Sequence, residues 1–180
     1  MGLSDVDLKG IEFIYTYIQT PFLDNIMLVI SKLGSGGAIW FLIAIALVLS
    51  KQYRNTGWLV LCSLVVALML SEGLLKNLVQ RPRPFMEVSQ LKLILEPPTS
   101  YSFPSAHASM AFAVLTSLVG SLRNPWIIAG LIIFGLSMAF SRLYLLLHYP
   151  SDIIGGIIIG IFSALVAKRL LALKNRGDQN

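Results

Sequence analysis

Apolar runs of near-uniform length, separated by short polar turns, constrain this chain more than any other feature. A helix needs roughly 20 consecutive apolar residues to cross the hydrocarbon core of a bilayer. Runs from Thr56 to about Leu78, from Pro125 to about Leu147 and from just after Pro150 to about Leu173 meet that length. A run from Pro104 or Ser105 to near Leu122 comes close, and one from Gly36 to Ser50 is a little short. With 56% hydrophobic and only 13% charged residues and a mean hydropathy of +0.75, the chain lies far from soluble domains, which carry about 25% charge. A water-soluble globule is excluded.

The segment Ile11 to Leu33 is broken by Glu12, Asp24 and Lys32, and Pro21 removes a helix-interior donor. An interfacial helix at Ile11–Thr20 followed by a short crossing helix at Phe22–Leu33 fits it better than a single kinked crossing. The predicted fold is all-α: an integral membrane bundle of about six transmembrane helices with an N-terminal interfacial helix, both termini on one side. Without repeats, low-complexity tracts or a long linker, residues 1–180 read as a single domain. The acidic start, Asp5 and Asp7, argues against a secretory signal peptide. Gly156 with Gly160, and Gly130 with Gly135, are predicted to let helices approach closely.

The net charge of +5 comes from 14 Lys and Arg against 9 Asp and Glu. These cations collect at the ends of apolar runs, without the aromatic–basic patch that nucleic acid requires, so no nucleic-acid partner is expected. Lys51, Arg54, Arg123, Lys168, Arg169, Lys174 and Arg176 fall on one face, which the positive-inside rule makes cytoplasmic, together with the C-terminus. Lys76, Arg81, Arg83 and Lys92 fall on the opposite face and break that rule, so they need another explanation. The single cysteine, Cys62, excludes a disulfide framework or a thiolate metal site built by this chain alone.

Three polar clusters meet on that opposite face: Lys76–Pro84 (KNLVQRPRP), Ser102–His107 (SFPSAH) and Ser141–Asp152 (SRLYLLLHYPSD). Ionisable groups near a membrane interior are costly and mark function. Lys76, Arg83 and Arg142 supply permanent positive charge suited to a phosphate. The helix opening at Pro104-Ser105-Ala106-His107 directs its N–H groups toward an anion. Pro150 breaks the chain, so Asp152 can fold back onto one imidazole nitrogen of His148 and point the other outward as a nucleophile.

Lys76, six residues, Arg83-Pro84; then Pro104-Ser105-Ala106-His107; then Ser141-Arg142, five residues, His148, three residues, Asp152: this pattern resembles the three-part signature of the type 2 phosphatidic acid phosphatase family. The six-helix layout resembles its bacterial membrane members over nearly the whole chain. Ala106 departs from the glycine found in many members, but keeps the backbone N–H. The resemblance implies that His148 attacks phosphorus to form a phosphohistidine, that Asp152 orients it, and that His107 protonates the leaving oxygen and then activates water. It further implies that Lys76, Arg83, Arg142, the Ser105 hydroxyl and the N–H groups of Ala106 and His107 hold the phosphate oxygens.

Glu72, four residues before Lys76, is expected to form an ion pair with it along one helix face. Arg81 and Lys92 are expected to snorkel to lipid headgroups. No metal or other cofactor is expected, because three neighbouring cations oppose a dication. The Gln90–Leu95 stretch (QLKLIL) is predicted to lie on the membrane as a partial lid ended by Pro97-Pro98. The expected activity is that of a cell-membrane lipid phosphatase with an extracytoplasmic site. Its substrate would be a membrane lipid phosphate or diphosphate, with undecaprenyl diphosphate and phosphatidylglycerophosphate first and phosphatidic acid next. A proton-coupled transporter, the competing class, would spread its ionisable groups through mid-membrane instead of crowding them on one face.

Overall fold

Nine α-helices make up the described part of the chain, residues 3–88 and 91–177 of a computed structural model. They are α1 (Leu3–Phe13), α2 (Pro21–Leu33), α3 (Ala38–Leu49), α4 (Arg54–Leu68), α5 (Lys76–Val79), α6 (Pro84–Glu87), α7 (Ala106–Leu118), α8 (Pro125–Tyr144) and α9 (Pro150–Gly177). There is no strand among the described residues. Ser89 and Gln90, the latter the first residue of the expected lid, lie outside them.

The predicted all-α membrane bundle is what the structure shows. Three helical paths are individually long and apolar enough to cross a bilayer: Arg54–Glu87, Pro125–Tyr144 and Pro150–Leu173. The 13-residue α7 is shorter, but it lies at the centre, packed against α4, α8 and α9. Most of α7 is buried, because small residues (Ala106, Ala108, Ser109, Ala111, Ala113) let its neighbours approach from several sides. Where the bundle packs tightest, Met110, Val114 and Leu118 of α7 meet Trp40, Val60, Leu64 and Met138.

The route of α2 and α3 differs from expectation. They are bent by only 43° at Gly34, too little to reverse the chain and make two separate crossings. The Thr20 amide, just before α2, donates to the Tyr144 hydroxyl at 2.9 Å, and past α3 the Arg54 side chain donates to the Val48 carbonyl at 3.3 Å. Tyr144 ends α8 at one end of the bundle, whereas Val48 and Arg54 lie at the other, beside the Thr56–Ser121 contact of 3.0 Å. The chain therefore passes between the two ends five times: along α2–α3, α4–α5, α7, α8 and α9. The N-terminal segment and the C-terminal end of α9 lie at opposite ends, not on one side.

The expected small-residue seam is real for three glycines of four. A Cβ on Gly156 would strike the Ser105 carbonyl at 2.5 Å, and one on Gly160 would overlap the Ser109 carbonyl, so α9 lies directly against the α7 backbone. Gly135 faces Leu115 in the same way. Nothing lies within 4 Å of the equivalent point on Gly130, which is no contact surface.

Two helix ends aim the polar clusters. Met69–Leu75 widens to a π-helical segment that carries α4 into α5. At the end of α8, expected near Leu147, the helix instead stops at Tyr144. Leu146 takes a left-handed conformation (φ 58°), Leu147 N–H bonds Arg142 O at 3.1 Å and Leu146 N–H bonds Leu143 O at 2.9 Å. This is a Schellman turn with leucine where glycine is usual, a conformation that costs roughly 1–2 kcal/mol. Complete burial of the Leu146 side chain offsets that strain, and the turn delivers His148 into the bundle.

Replacing Gly160 by leucine is expected to cost about 1–3 kcal/mol of overpacking and to lower the melting temperature in detergent by roughly 5 °C. The same change at Gly130 should leave it within about 1 °C. A thermal melt of both variants checks this.

Candidate active site

The three clusters, expected on one face, converge at one end of the bundle. Lys76 (5% exposed), Arg83 (3%), Arg142 (7%), His148 (2%) and Asp152 (0%) are all buried there. The cations are held differently. Arg83 donates to the Ser100 carbonyl at 2.7 Å, the Ser100 hydroxyl at 3.0 Å and the Leu147 carbonyl at 2.7 Å. Arg142 donates to the Ser31 hydroxyl. Among the described residues neither guanidinium pairs with a carboxylate, so each keeps its full charge in a desolvated place. Lys76 reaches the Ser100 hydroxyl at 3.1 Å and forms the expected pair with Glu72 at 2.5 Å.

His148 follows the Leu146 turn, and its two nitrogens face opposite charges. Nε2 lies 3.4 Å from an Arg83 nitrogen, and Nδ1 lies 3.6 Å from Asp152 Oδ2. Arginine only donates, so Nε2 must carry a lone pair and Nδ1 the proton, directed at the carboxylate. At 3.6 Å this contact is longer than a hydrogen bond, and Nδ1 has no hydrogen-bond partner among the described residues. Burial, reinforced by Arg83 and Arg142, pushes the His148 pKa down from 6.5 to about 3 against the opposing pull of Asp152. Burial and the two guanidiniums thus oppose protonation of the ring, and the Nε2 lone pair faces Arg83.

Asp152 does more than face His148. Its Oδ2 accepts from the Tyr149 N–H at 2.8 Å and from the Ser102 hydroxyl at 2.5 Å. The first bond closes the opening turn of α9 in the manner of a capping box, so the carboxylate caps a helix and orients an imidazole at once. Its Oδ1 accepts from Arg81 at 2.7 Å. Arg81, expected at the lipid headgroups, is instead turned inward: its other nitrogen binds Asp7 at 2.7 Å and its guanidinium lies 3.9 Å over the Tyr149 ring. Two buried carboxylates outcompete the headgroup region for that charge.

His107 opens α7 close to Gly34, where a Cβ would lie 2.8 Å from its Cδ2. It bonds the Ser31 backbone, while its Nε2 is buried without a partner among the described residues. Ser105, expected to offer its hydroxyl to phosphate, is fully buried and caps α7 by accepting from the Ala108 N–H at 3.5 Å. Its backbone N–H donates to the Asp152 carbonyl at 3.1 Å. Ala106 follows as the first residue of α7, itself buried. Leu91, Leu93, Ile94 and Leu95, in an irregular segment, pack against the apolar cluster that includes Tyr144–Leu147 and Tyr149.

Sequence reasoning passed over Ser31, Ser100 and Asp7. Ser31 and Ser100 sit outside the motifs and carry no signal beyond their type. Asp7 does carry one: it shares a helix face with Ile11 and Ile14, at i+4 and i+7, a face that is otherwise apolar.

Residues 56–176 match the family described as the PAP2 superfamily. The chain belongs to that superfamily. It is 30% identical over 155 residues to an undecaprenyl-diphosphatase of Sulfolobus acidocaldarius, covering 86% of this chain and 73% of that protein. It is 31% identical over 173 residues to a lipid A 4'-phosphatase of Bacteroides thetaiotaomicron, covering 89% and 74%. Among solved structures, Aquifex aeolicus LpxE superposes with a TM-score of 0.81 at 25% identity, over 94% of this chain and 99% of that one. The first transmembrane PAP2-type phosphatidylglycerolphosphate phosphatase from Bacillus subtilis shares the fold, with a TM-score of 0.73 at 21% identity over 93% and 85%.

The neutral His148 carries a pH consequence. An unfolded chain takes up its imidazole proton near pH 6.5 but the folded chain only near pH 3, so acidification through that window favours unfolding at this site. In the folded protein, 15N NMR of imidazole-labelled enzyme should show one histidine, absent from His148→Ala, neutral from pH 7 to about pH 5 with Nε2 unprotonated.

Proposed function

We propose that this membrane phosphatase removes phosphate from a lipid phosphate monoester or diphosphate through a phosphohistidine on His148. One observation carries the reading: a buried imidazole whose Nε2 faces the Arg83 guanidinium, with Arg142 buried nearby and neither guanidinium ion-paired with a carboxylate among the described residues. A buried uncompensated charge is costly, and a phosphate is the partner whose oxygens accept from two arginines and a lysine together.

In the first half-reaction the His148 Nε2 lone pair forms a bond to phosphorus while the phosphorus–oxygen bond to the lipid breaks. His107, protonated on Nε2 with the substrate's phosphate charge beside it, gives that proton to the departing oxygen and is left neutral. Asp152 offsets the positive charge that appears on the imidazole ring, and Arg83, Arg142 and Lys76 hold the other phosphate oxygens as charge builds on them. In the second, His107 takes a proton from water, the water oxygen attacks phosphorus, and the P–N bond breaks to restore His148 and release inorganic phosphate. Ser105 supports the site by starting α7, so that the Ala106 and His107 N–H groups open toward the anion.

Named relatives act on polyprenyl diphosphate, lipid A and phosphatidylglycerophosphate, which brackets the substrate class. Undecaprenyl diphosphate and phosphatidylglycerophosphate head the candidates, followed by phosphatidic acid. The extracytoplasmic placement of the site rests on exposed Lys51, Arg54, Arg123, Lys168 and Arg169 at the other end of the bundle. The C-terminal end of α9 would then be cytoplasmic.

Purified protein in detergent, given these three lipids, should release phosphate, and His148→Ala should lose about 10³-fold or more of that rate. Equal release by both would overturn the assignment. The cations that favour an oxyanion disfavour a dication, so EDTA should leave the rate unchanged; loss restored by one metal ion would contradict metal-independent catalysis.

A further inference from the structure

The N-terminal helix lies before the stretch that matches the superfamily, yet it reaches the site. Asp7 is 2% exposed, an unusual position for a carboxylate unless it is paired. Its Oδ2 accepts from Arg81 at 2.7 Å and from the Ser151 hydroxyl, and its Oδ1 accepts from the Ser151 N–H at 2.9 Å. Arg81 passes the connection on through its 2.7 Å contact to Asp152 Oδ1. The Tyr149 ring beneath the guanidinium is itself held by Glu87, which accepts from the Tyr149 hydroxyl at 2.5 Å. Five side chains from α1, α6 and the α8–α9 junction (Asp7, Glu87, Tyr149, Ser151 and Asp152) thus fix the guanidinium fork of Arg81.

We infer that Asp7 and Arg81 are positioning residues for the nucleophile: Asp7 holds Arg81 so that the guanidinium pins Asp152 against Nδ1 of His148 without neutralising it. The charge count gives the reason. Arg81 alone with Asp152 would cancel the carboxylate that must offset the phosphoimidazole. With Asp7 sharing the guanidinium, the trio keeps one net negative charge facing His148. Asp7 and Arg81 touch neither substrate nor reacting atoms; they act through Asp152.

This inference rests on the phosphohistidine reading above. Its test compares wild type, Asp7→Asn, Arg81→Lys and His148→Ala in detergent, with kcat, KM and inhibition by orthovanadate. Vanadate adopts the five-coordinate shape of phosphoryl transfer when an imidazole nitrogen bonds it. Asp7→Asn keeps the shape and removes the charge. Arg81→Lys keeps the charge, but a single ammonium cannot span two carboxylates. Each should lower kcat roughly ten- to a hundredfold with KM changed less than about threefold, and should weaken vanadate inhibition by a similar factor.

A purely structural role predicts otherwise. Less folded enzyme lowers apparent kcat but leaves the vanadate inhibition constant of the remaining enzyme as it was, and that outcome overturns the inference, as does wild-type kcat in Asp7→Asn. Should Asp7→Asn fail to fold, Arg81→Lys is read by the same criteria. Activity in His148→Ala would defeat the underlying mechanism; an inactive His148→Ala beside an unimpaired Asp7→Asn would defeat this inference alone.

Discussion

A carboxylate with no exposed surface, Asp152, is the constraint around which this end of the molecule is arranged. A buried charge is tolerated only when paired and hydrogen-bonded, and this one is faced by four residues from three parts of the chain. Tyr149 gives a backbone N–H from its own helix start, Ser102 a hydroxyl from the approach to α7, Arg81 a guanidinium from beyond α5, and His148 an imidazole from the α8–α9 turn. Its backbone carbonyl also receives the Ser105 N–H. Satisfying one aspartate therefore brings the three polar clusters into register, and the glycine seam of α9 against α7 lets them approach closely enough to do so.

How much of this could be seen in the sequence depends on whether the signal was chemical or geometric. The apolar run lengths marked α4, α8 and α9, and the residue types at Lys76, Arg83, His107, Arg142, His148 and Asp152 marked the cluster, because few other uses exist for such groups at those places. The shape of the α2–α3 path was not legible: a Gly-rich break between two apolar stretches is the same string whether the chain reverses or bends by 43°. The inward turn of Arg81 is not legible because a cation near a membrane surface has a bland use, and only Asp7 and Asp152 together show why it turns inward. The end of α8 was set too late because leucine at a left-handed position has no sequence signature, unlike glycine.

The proposed mechanism accounts for nucleophilicity inside a mostly apolar bundle. Burial and two arginines oppose protonation of His148, while Asp152 faces its Nδ1. On that mechanism the same arginines would receive phosphate oxygens, so one arrangement would set up both the nucleophile and its electrophile. The opposite end of the bundle carries exposed cations, Lys51, Arg54 and Arg123, which fits orientation in the membrane.

The central claim is a covalent bond between His148 and phosphorus. Rapid alkaline quenching of the enzyme during turnover of a 32P-labelled lipid phosphate tests it most directly. The account predicts protein-bound label that survives alkali, is lost in mild acid as a phosphoramidate is, and is absent from His148→Ala. Turnover with no label on the wild-type protein, or label that persists in His148→Ala, would contradict it.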